Sequence, residues 1–333
     1  MKALKRILKI ISIILVFVLF NQIAFFAVSP PSFSHWSNHD IKVHRNNIDT
    51  AFFGTSHIYA AVDPRIFDAE TGCFTMNCGS GGQGIKETYY YIDQMNKSCK
   101  NLKNVFVDLY FEDFQLRKNN RGSEMQDKMV IYSRLTNPLS KIRYIGDVFE
   151  INELQYLVFP ALYYNSHFGD FPNTIKQKLS PEYRNYTSNF EYFKDKYIER
   201  GYIPYTQYDK NDSDRFHFAD HIQYTREINS EAFEYLSKII SYCKDNNINL
   251  YFVQMPLSET ANKENAEFLK YFDDKINEAI LKNGKINYLN LNTAISRTEI
   301  TDKNDFADGE HLSISGAEKI TKILAEYFLN INK

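Results

Sequence analysis

The sequence predicts an α/β protein, a three-layer α/β/α sandwich on a parallel sheet, and three observations carry that expectation. Short apolar runs alternate with helix-period stretches near both ends of the chain, as in strands buried on both faces by crossover helices. Gly54-Thr55-Ser56-His57 closes the first such run, and Asp308-Gly309-Glu310-His311 lies just before the last helical stretch. Both fall where strands of such a sheet deliver ligand-facing loops. Hydrophobic residues make up 44% of the 333, enough for one large domain with an insertion.

The N-terminus reads separately. Lys2, Lys5, Arg6 and Lys9 precede the apolar run 10–20, and a second run, 23–28, follows the polar pair Asn21-Gln22. Residues 7–28 are long enough to cross a bilayer, which needs about 20 residues in a helix. The basic flank predicts a cytoplasmic N-terminus, a single pass through the cell membrane and an extracytoplasmic remainder. A cleaved signal peptide is the rival, but Ala24 and Ala27 do not make an A-x-A site, and the long apolar stretch favours an uncleaved anchor. Pro30-Pro31 begins a short extended linker. The chain therefore divides into residues 1–31 (flank, anchor and linker) and a domain over 32–333.

Within the domain, 48–53 reads as a strand and 56–69 as a helix that Pro64 interrupts. A second strand, 74–77, leads into the glycine loop 78–84 and a helix over 85–99; 104–110 is a buried strand. Later come an amphipathic helix (228–246), a strand (249–254), a helix (262–282) and a strand (286–291). The last helix is placed near Ser315, with Ser315 and Glu318 as its capping box, and runs to Phe328. Between about 113 and 226 the alternation lapses. That stretch carries Tyr183, Tyr186, Phe190, Tyr192, Phe193, Tyr197, Tyr202, Tyr205 and Tyr208, and reads as a mainly helical insertion. Its aromatics are expected to pack its own core rather than to stack on sugar rings.

A net charge of −2, with no basic cluster among the aromatics of the domain, argues against nucleic acid. Cys73, Cys78, Cys99 and Cys243 lack C-x-x-C spacing, which disfavours zinc; isolated buried thiols are expected, though an outside location permits a disulfide. His57, His217 and His221 with Asp108, Glu112 and Asp113 have no metal-binding spacing, and no metal is expected. The glycine loop lacks the Gly-Lys-Ser/Thr ending of a phosphate-binding loop, and no cofactor is expected.

The chemistry the pattern points to is nucleophilic acyl transfer. Such a reaction needs a hydroxyl, a base to take its proton and an acid to orient that base. Ser56 opens a helix, where its own N–H faces developing negative charge; serving only as a helix cap is the plainer role for a serine there. His311 is the candidate base, and Asp308 three positions earlier the candidate acid; a solvated acidic loop is the competing reading. Gly79 is the candidate second oxyanion donor, and His57 shapes the pocket or packs beside it.

These residues together resemble the SGNH (GDSL-like) hydrolase superfamily. Gly54-Thr55-Ser56-His57 is similar to its first block, whose serine is the nucleophile; Gly79 falls at the second-block glycine, and Asp308-x-x-His311 matches the last block. The third block's asparagine is missing, since the third strand continues as Asp108-Leu109-Tyr110-Phe111-Glu112. The anchor, the G-T-S-H block and the aromatic insertion are similar to a membrane-anchored branch that works beside membrane-bound O-acyltransferases. That branch includes relatives of the D-alanyl transfer protein of teichoic-acid synthesis. The resemblance implies an extracytoplasmic esterase or O-acyltransferase acting on acyl esters of cell-envelope or exported polysaccharide. It leaves open a non-catalytic partner of the same fold.

Overall fold

The protein is described by a computed structural model over residues 2–116, 121–187, 189–190, 195–206, 208–209, 212, 214–218, 225–284, 286–294 and 299–332. It begins with α1 (Lys2–Val28), in which Lys5–Val28 is long and apolar enough to cross a membrane. Pro30-Pro31 is followed at once by a helix rather than by an extended linker. Ser32 caps α2 (Phe33–His44), its hydroxyl accepting from the Ser34 N–H.

The sheet follows from short strands of β-branched and aromatic residues. β1 (Thr50–Phe53) leads through α3 (Ser56–Ala61) and α4 (Pro64–Thr71) to β2 (Thr75–Asn77), and α5 (Ile85–Ser98) leads to β3 (Asn104–Asp108). The predicted 56–69 helix is thus two helices. Val62 leaves the helical region, Asp63 caps the next helix with Pro64 at its first turn, and Gly72 (φ +75°) closes it. After β3 the insertion supplies α6 (Phe111–Phe114), α7 (Arg121–Arg134), α8 (Pro138–Val148), α9 (Leu154–Val158), α10 (Pro160–Tyr163), a 3₁₀ segment (Asn165–Asp170), α11 (Phe171–Leu179) and α12 (Pro181–Arg184). The chain returns through α13 (Ser230–Asp245), β4 (Asn249–Gln254), α14 (Glu259–Glu264), α15 (Ala266–Lys282), β5 (Asn287–Asn290), α16 (Leu291–Ala294), α17 (Asp302–Asp305) and α18 (Ile314–Ile331). The five strands are parallel in the order β2-β1-β3-β4-β5.

Alternation along each strand splits the core into two layers. Ala51, Phe53, Val105 and Val107 face α5, α13 and α15; Phe52, Phe106 and Tyr251 face α3, α4 and α18. The second layer holds a cross-strand ladder, Phe52 on Phe106 at 4.3 Å and Phe106 on Tyr251 at 4.6 Å between ring centroids. Every residue of β3 is buried, as befits the central strand.

The insertion is tied to the start of the domain and to the edge of its sheet. Trp36 of α2 sits in a separate aromatic cluster with Tyr183, Phe190 and Tyr197, and its indole N–H donates to the Tyr183 carbonyl. Tyr202 is also buried, Tyr186 stacks on His35 and His39, and Tyr208 lies under Arg215. Tyr192, Phe193 and His221 lie outside the described residues. The return path of the insertion runs along the outer edge of β2. The Asn77 N–H donates to the Arg200 carbonyl, and the Arg200 guanidinium donates to the Thr75 carbonyl. Gly201 (φ +89°) lies so close that a Cβ would overlap the Asn77 carbonyl. All four cysteines are free; three are buried and Cys73 is partly so.

Candidate active site

The site lies at the carboxyl ends of β1 and β2. Phe53 ends β1, and Gly54 (φ +153°) turns the chain so tightly over the end of β3 that a Cβ there would be 2.7 Å from the Asp108 Cβ. Thr55, and not Ser56, caps α3, its hydroxyl accepting from the His57 N–H. Ser56 is therefore the first helical residue, with its hydroxyl free for another partner. That partner is His311: Ser56 Oγ lies 2.7 Å from His311 Nε2.

His311 is held by a tight loop. The Ala307 N–H donates to the His311 carbonyl, Phe306 bridges Leu312, and the Ser258 N–H donates to the Gly309 carbonyl. A Cβ on Gly309 would collide with the His217 carbonyl, so the loop packs there only as glycine. Asp308 lies 3.0 and 2.9 Å from His311 Nδ1 through its two oxygens. A carboxylate can only accept, so Nδ1 carries the proton and Nε2 is left to accept from the serine. Burial works to raise the Asp308 carboxyl, but the hydrogen bond and charge of His311 and the N–H groups of Glu310 and His311 outweigh it and hold it below the ordinary carboxylate range. Ser56, His311 and Asp308 thus form one hydrogen-bonded chain in the order hydroxyl, imidazole, carboxylate, the order in which a nucleophile, its base and an orienting acid would stand.

Gly79 does not lie as the sequence reading required. Its N–H donates to the Asn77 Oδ1 at 3.0 Å, so it is committed within the protein rather than free for an oxyanion. The glycine serves close packing, since a Cβ would stand 2.6 Å from the Tyr59 nitrogen in α3. Asn77 also donates to the carbonyls of Ile58 and Val62, pinning the end of α3. The Ser56 N–H has no protein acceptor among the described residues.

His57 is buried, its ring 5.1 Å from His311 and 4.3 Å from Tyr110. Burial first and the nearby His311 second push its pKa down to about 3, so it is a neutral packing group at neutral pH. Asp108 below it is raised by burial to about 7, against the pull of the Met255 and Leu109 N–H groups. Among the described residues no group of three or more His, Cys, Asp or Glu is arranged to hold a metal ion.

Three neighbours had no motif to announce them. Tyr205, from the insertion, lies 4.5 Å from the His311 ring, pairs its backbone with Ser313 and shares a hydroxyl contact with Tyr59 at 3.1 Å. Tyr110 donates to Glu310 in the same loop as His311. Arg134, buried at the end of α7, donates to the carbonyls of Cys78 and Gly79 and so clamps the glycine loop. A cavity of about 870 Å³ between α2, α5 and the α7–α8 junction is lined by none of Ser56, His57, Asp308 or His311, which separates it from this chemistry.

What the fold and site define together is a doubly wound α/β domain carrying a Ser–His–Asp chain on the carboxyl edge of its sheet. No family model matches the chain. No curated protein matches it either. Among solved structures it is similar to a lipase/acylhydrolase from Enterococcus faecalis, at 11% identity over 84% of this chain and 94% of that one, with a TM-score of 0.40. A likeness at that level carries no argument about chemistry or substrate.

Proposed function

We propose that the protein is an SGNH-type serine esterase or O-acyltransferase, carried by one observation: the unbroken hydrogen-bonded chain from Ser56 Oγ through His311 to Asp308. Ser56 Oγ attacks the ester carbonyl carbon as its proton passes to His311 Nε2. The carbonyl π pair moves onto oxygen, which the Ser56 N–H faces. Collapse expels the alcohol oxygen, which takes the proton back from Nε2 and leaves acyl-Ser56. A water or sugar hydroxyl then gives its proton to Nε2 and attacks the acyl carbon, and Ser56 Oγ departs to regain that proton. Asp308 holds the ring in the tautomer that permits both halves.

The reading of α1 as an uncleaved anchor rests on the length of its apolar stretch, and its orientation, with the basic flank cytoplasmic and the domain outside, on Lys2, Lys5, Arg6 and Lys9 before that stretch. The substrate class, an acyl ester of envelope or exported polysaccharide, and the partner, a membrane-bound O-acyltransferase, rest on the family resemblance. A fluorophosphonate probe tests the chemistry. The wild-type chain is expected to be labelled and Ser56→Ala to be blank; equal labelling of both would overturn the proposal. His311→Ala is expected to lower p-nitrophenyl acetate turnover by at least about 10³-fold, as loss of a general base does in a serine triad.

The committed Gly79 N–H and the missing third-block asparagine favour a second reading, a non-catalytic partner that keeps the fold to bind polysaccharide or to scaffold an acyltransferase. It predicts no adduct at Ser56 in the wild-type chain.

A further inference from the structure

The insertion does not stand clear of the anchor. Phe17 of α1 meets Phe159 edge-on at 5.3 Å, Phe25 lies 5.8 Å from Tyr164, and Lys178 donates to the Phe26 carbonyl and the Ser29 hydroxyl. Phe17 precedes the end of α1 by about 16 Å at 1.5 Å per residue, roughly half of a hydrocarbon core about 30 Å thick. The α9–α10 corner therefore reaches well below the level at which α1 ends. Lys178 marks that level.

The composition of the corner suits such a place. Residues 154–164 contain no charged side chain and three tyrosines. Val158, Phe159, Leu162, Phe168 and Phe171 are 37% to 55% exposed, a continuation of the exposed apolar surface of α1. The backbone is also provided for. The break between α9 and α10 frees the Val158 carbonyl, and Asn21 Nδ2 donates to it at 2.6 Å. A polar residue inside the apolar run thus satisfies a carbonyl where water is scarce, as a bilayer demands. The polar 3₁₀ segment Asn165–Asp170 follows Tyr164, which sits beside Phe25, near the end of α1 and so at headgroup depth.

We infer that residues 154–171 are a second membrane contact, an apolar patch that dips into the lipid leaflet on the domain's side and packs along the anchor. The inference rests on the reading of α1 as a membrane-crossing helix. Two contacts, rather than one helix and a swivelling link, fix the tilt of the domain, and hold the Ser56 edge of the sheet at a set height over the bilayer.

Depth-dependent quenching tests it on the full chain in proteoliposomes. In a Trp36→Phe background, single reporters are placed by Phe159→Trp, Leu162→Trp, Leu15→Trp and Leu281→Trp, the last on an exposed surface of α15. With phosphatidylcholine brominated on its acyl chains, quenching at 159 and 162 is expected to be several-fold that at 281 and comparable to that at 15. Quenching at 15 but not at 159 or 162 overturns the inference alone. No quenching at 15 overturns the membrane reading of α1 as well. A photo-crosslinking residue at 162 in native membranes is expected to yield lipid adducts; a discrete protein adduct, to a second copy or another membrane protein, would overturn the choice of lipid.

Discussion

His57 and Asp108 lie 3.9 Å apart beneath the site, and burial works against the charged form of each, leaving the imidazole neutral at neutral pH and raising the carboxyl to about 7. The signs differ. A carboxyl raised from 3.8 to about 7 keeps its proton in the folded state after the unfolded chain has lost it, so stability falls as pH rises through that window. An imidazole lowered from 6.5 to about 3 refuses the proton the unfolded chain accepts, so stability falls as pH drops below 6.5. Asp108→Asn, which keeps the acceptor for the Met255 N–H, removes only the first effect. Its unfolding free energy relative to wild type, followed by denaturant melts, is expected to improve between pH 4 and pH 8, by up to about 4 kcal/mol at about 1.4 kcal/mol per pKa unit. A difference that is flat with pH would show that the carboxyl is not raised. At this scale Ser56, Asp308 and His311 were visible because each stands in a short local motif. Tyr205 and Asn77 were not: their contacts with His311 and with α3 are made by the fold and leave no spacing to read.

Helix α18 illustrates what a sequence pattern can and cannot place. Its existence follows from period alone, but its start was set two residues late. Ser313, with extended backbone, is the cap and accepts from the Gly316 N–H, while Ser315 lies inside the first turn and donates to Asp305. Two serines of equal propensity competed, and the buried Asp305 carboxylate decided which one stayed in the helix. Ser313→Ala is expected to cost about 1 kcal/mol in thermal or denaturant unfolding, and Glu318→Gln to be near neutral because no capping box forms. The reverse order would restore Ser315 as the cap. Strand edges were overreached for a related reason: the Leu109 N–H makes the last cross-strand bond, to the Val253 carbonyl, and Tyr110, as apolar as the strand before it, already opens the next helix. α2 went unread because its buried face, Trp36 above all, is covered by the distant Tyr183, Phe190 and Tyr197 rather than by a neighbour in sequence.

Across the whole molecule, that aromatic cluster makes the chain's single tryptophan a probe of how far folding is shared. Tyr59 of α3 packs against it, so the insertion and the helix that carries Ser56 are in physical contact. Melting followed by Trp36 emission is expected to coincide with melting followed by far-UV circular dichroism; an earlier fluorescence transition would mean that the insertion opens on its own. The run along β2 has a different reach. An unpaired strand margin is a template for other chains, and here the Arg200 carbonyl takes the Asn77 N–H, its guanidinium donates to the Thr75 carbonyl, and Gly201 packs against the Asn77 carbonyl. Where copies of the chain meet, that flank is thereby covered against strand exchange. Self-association through the sheet would have to begin at β5.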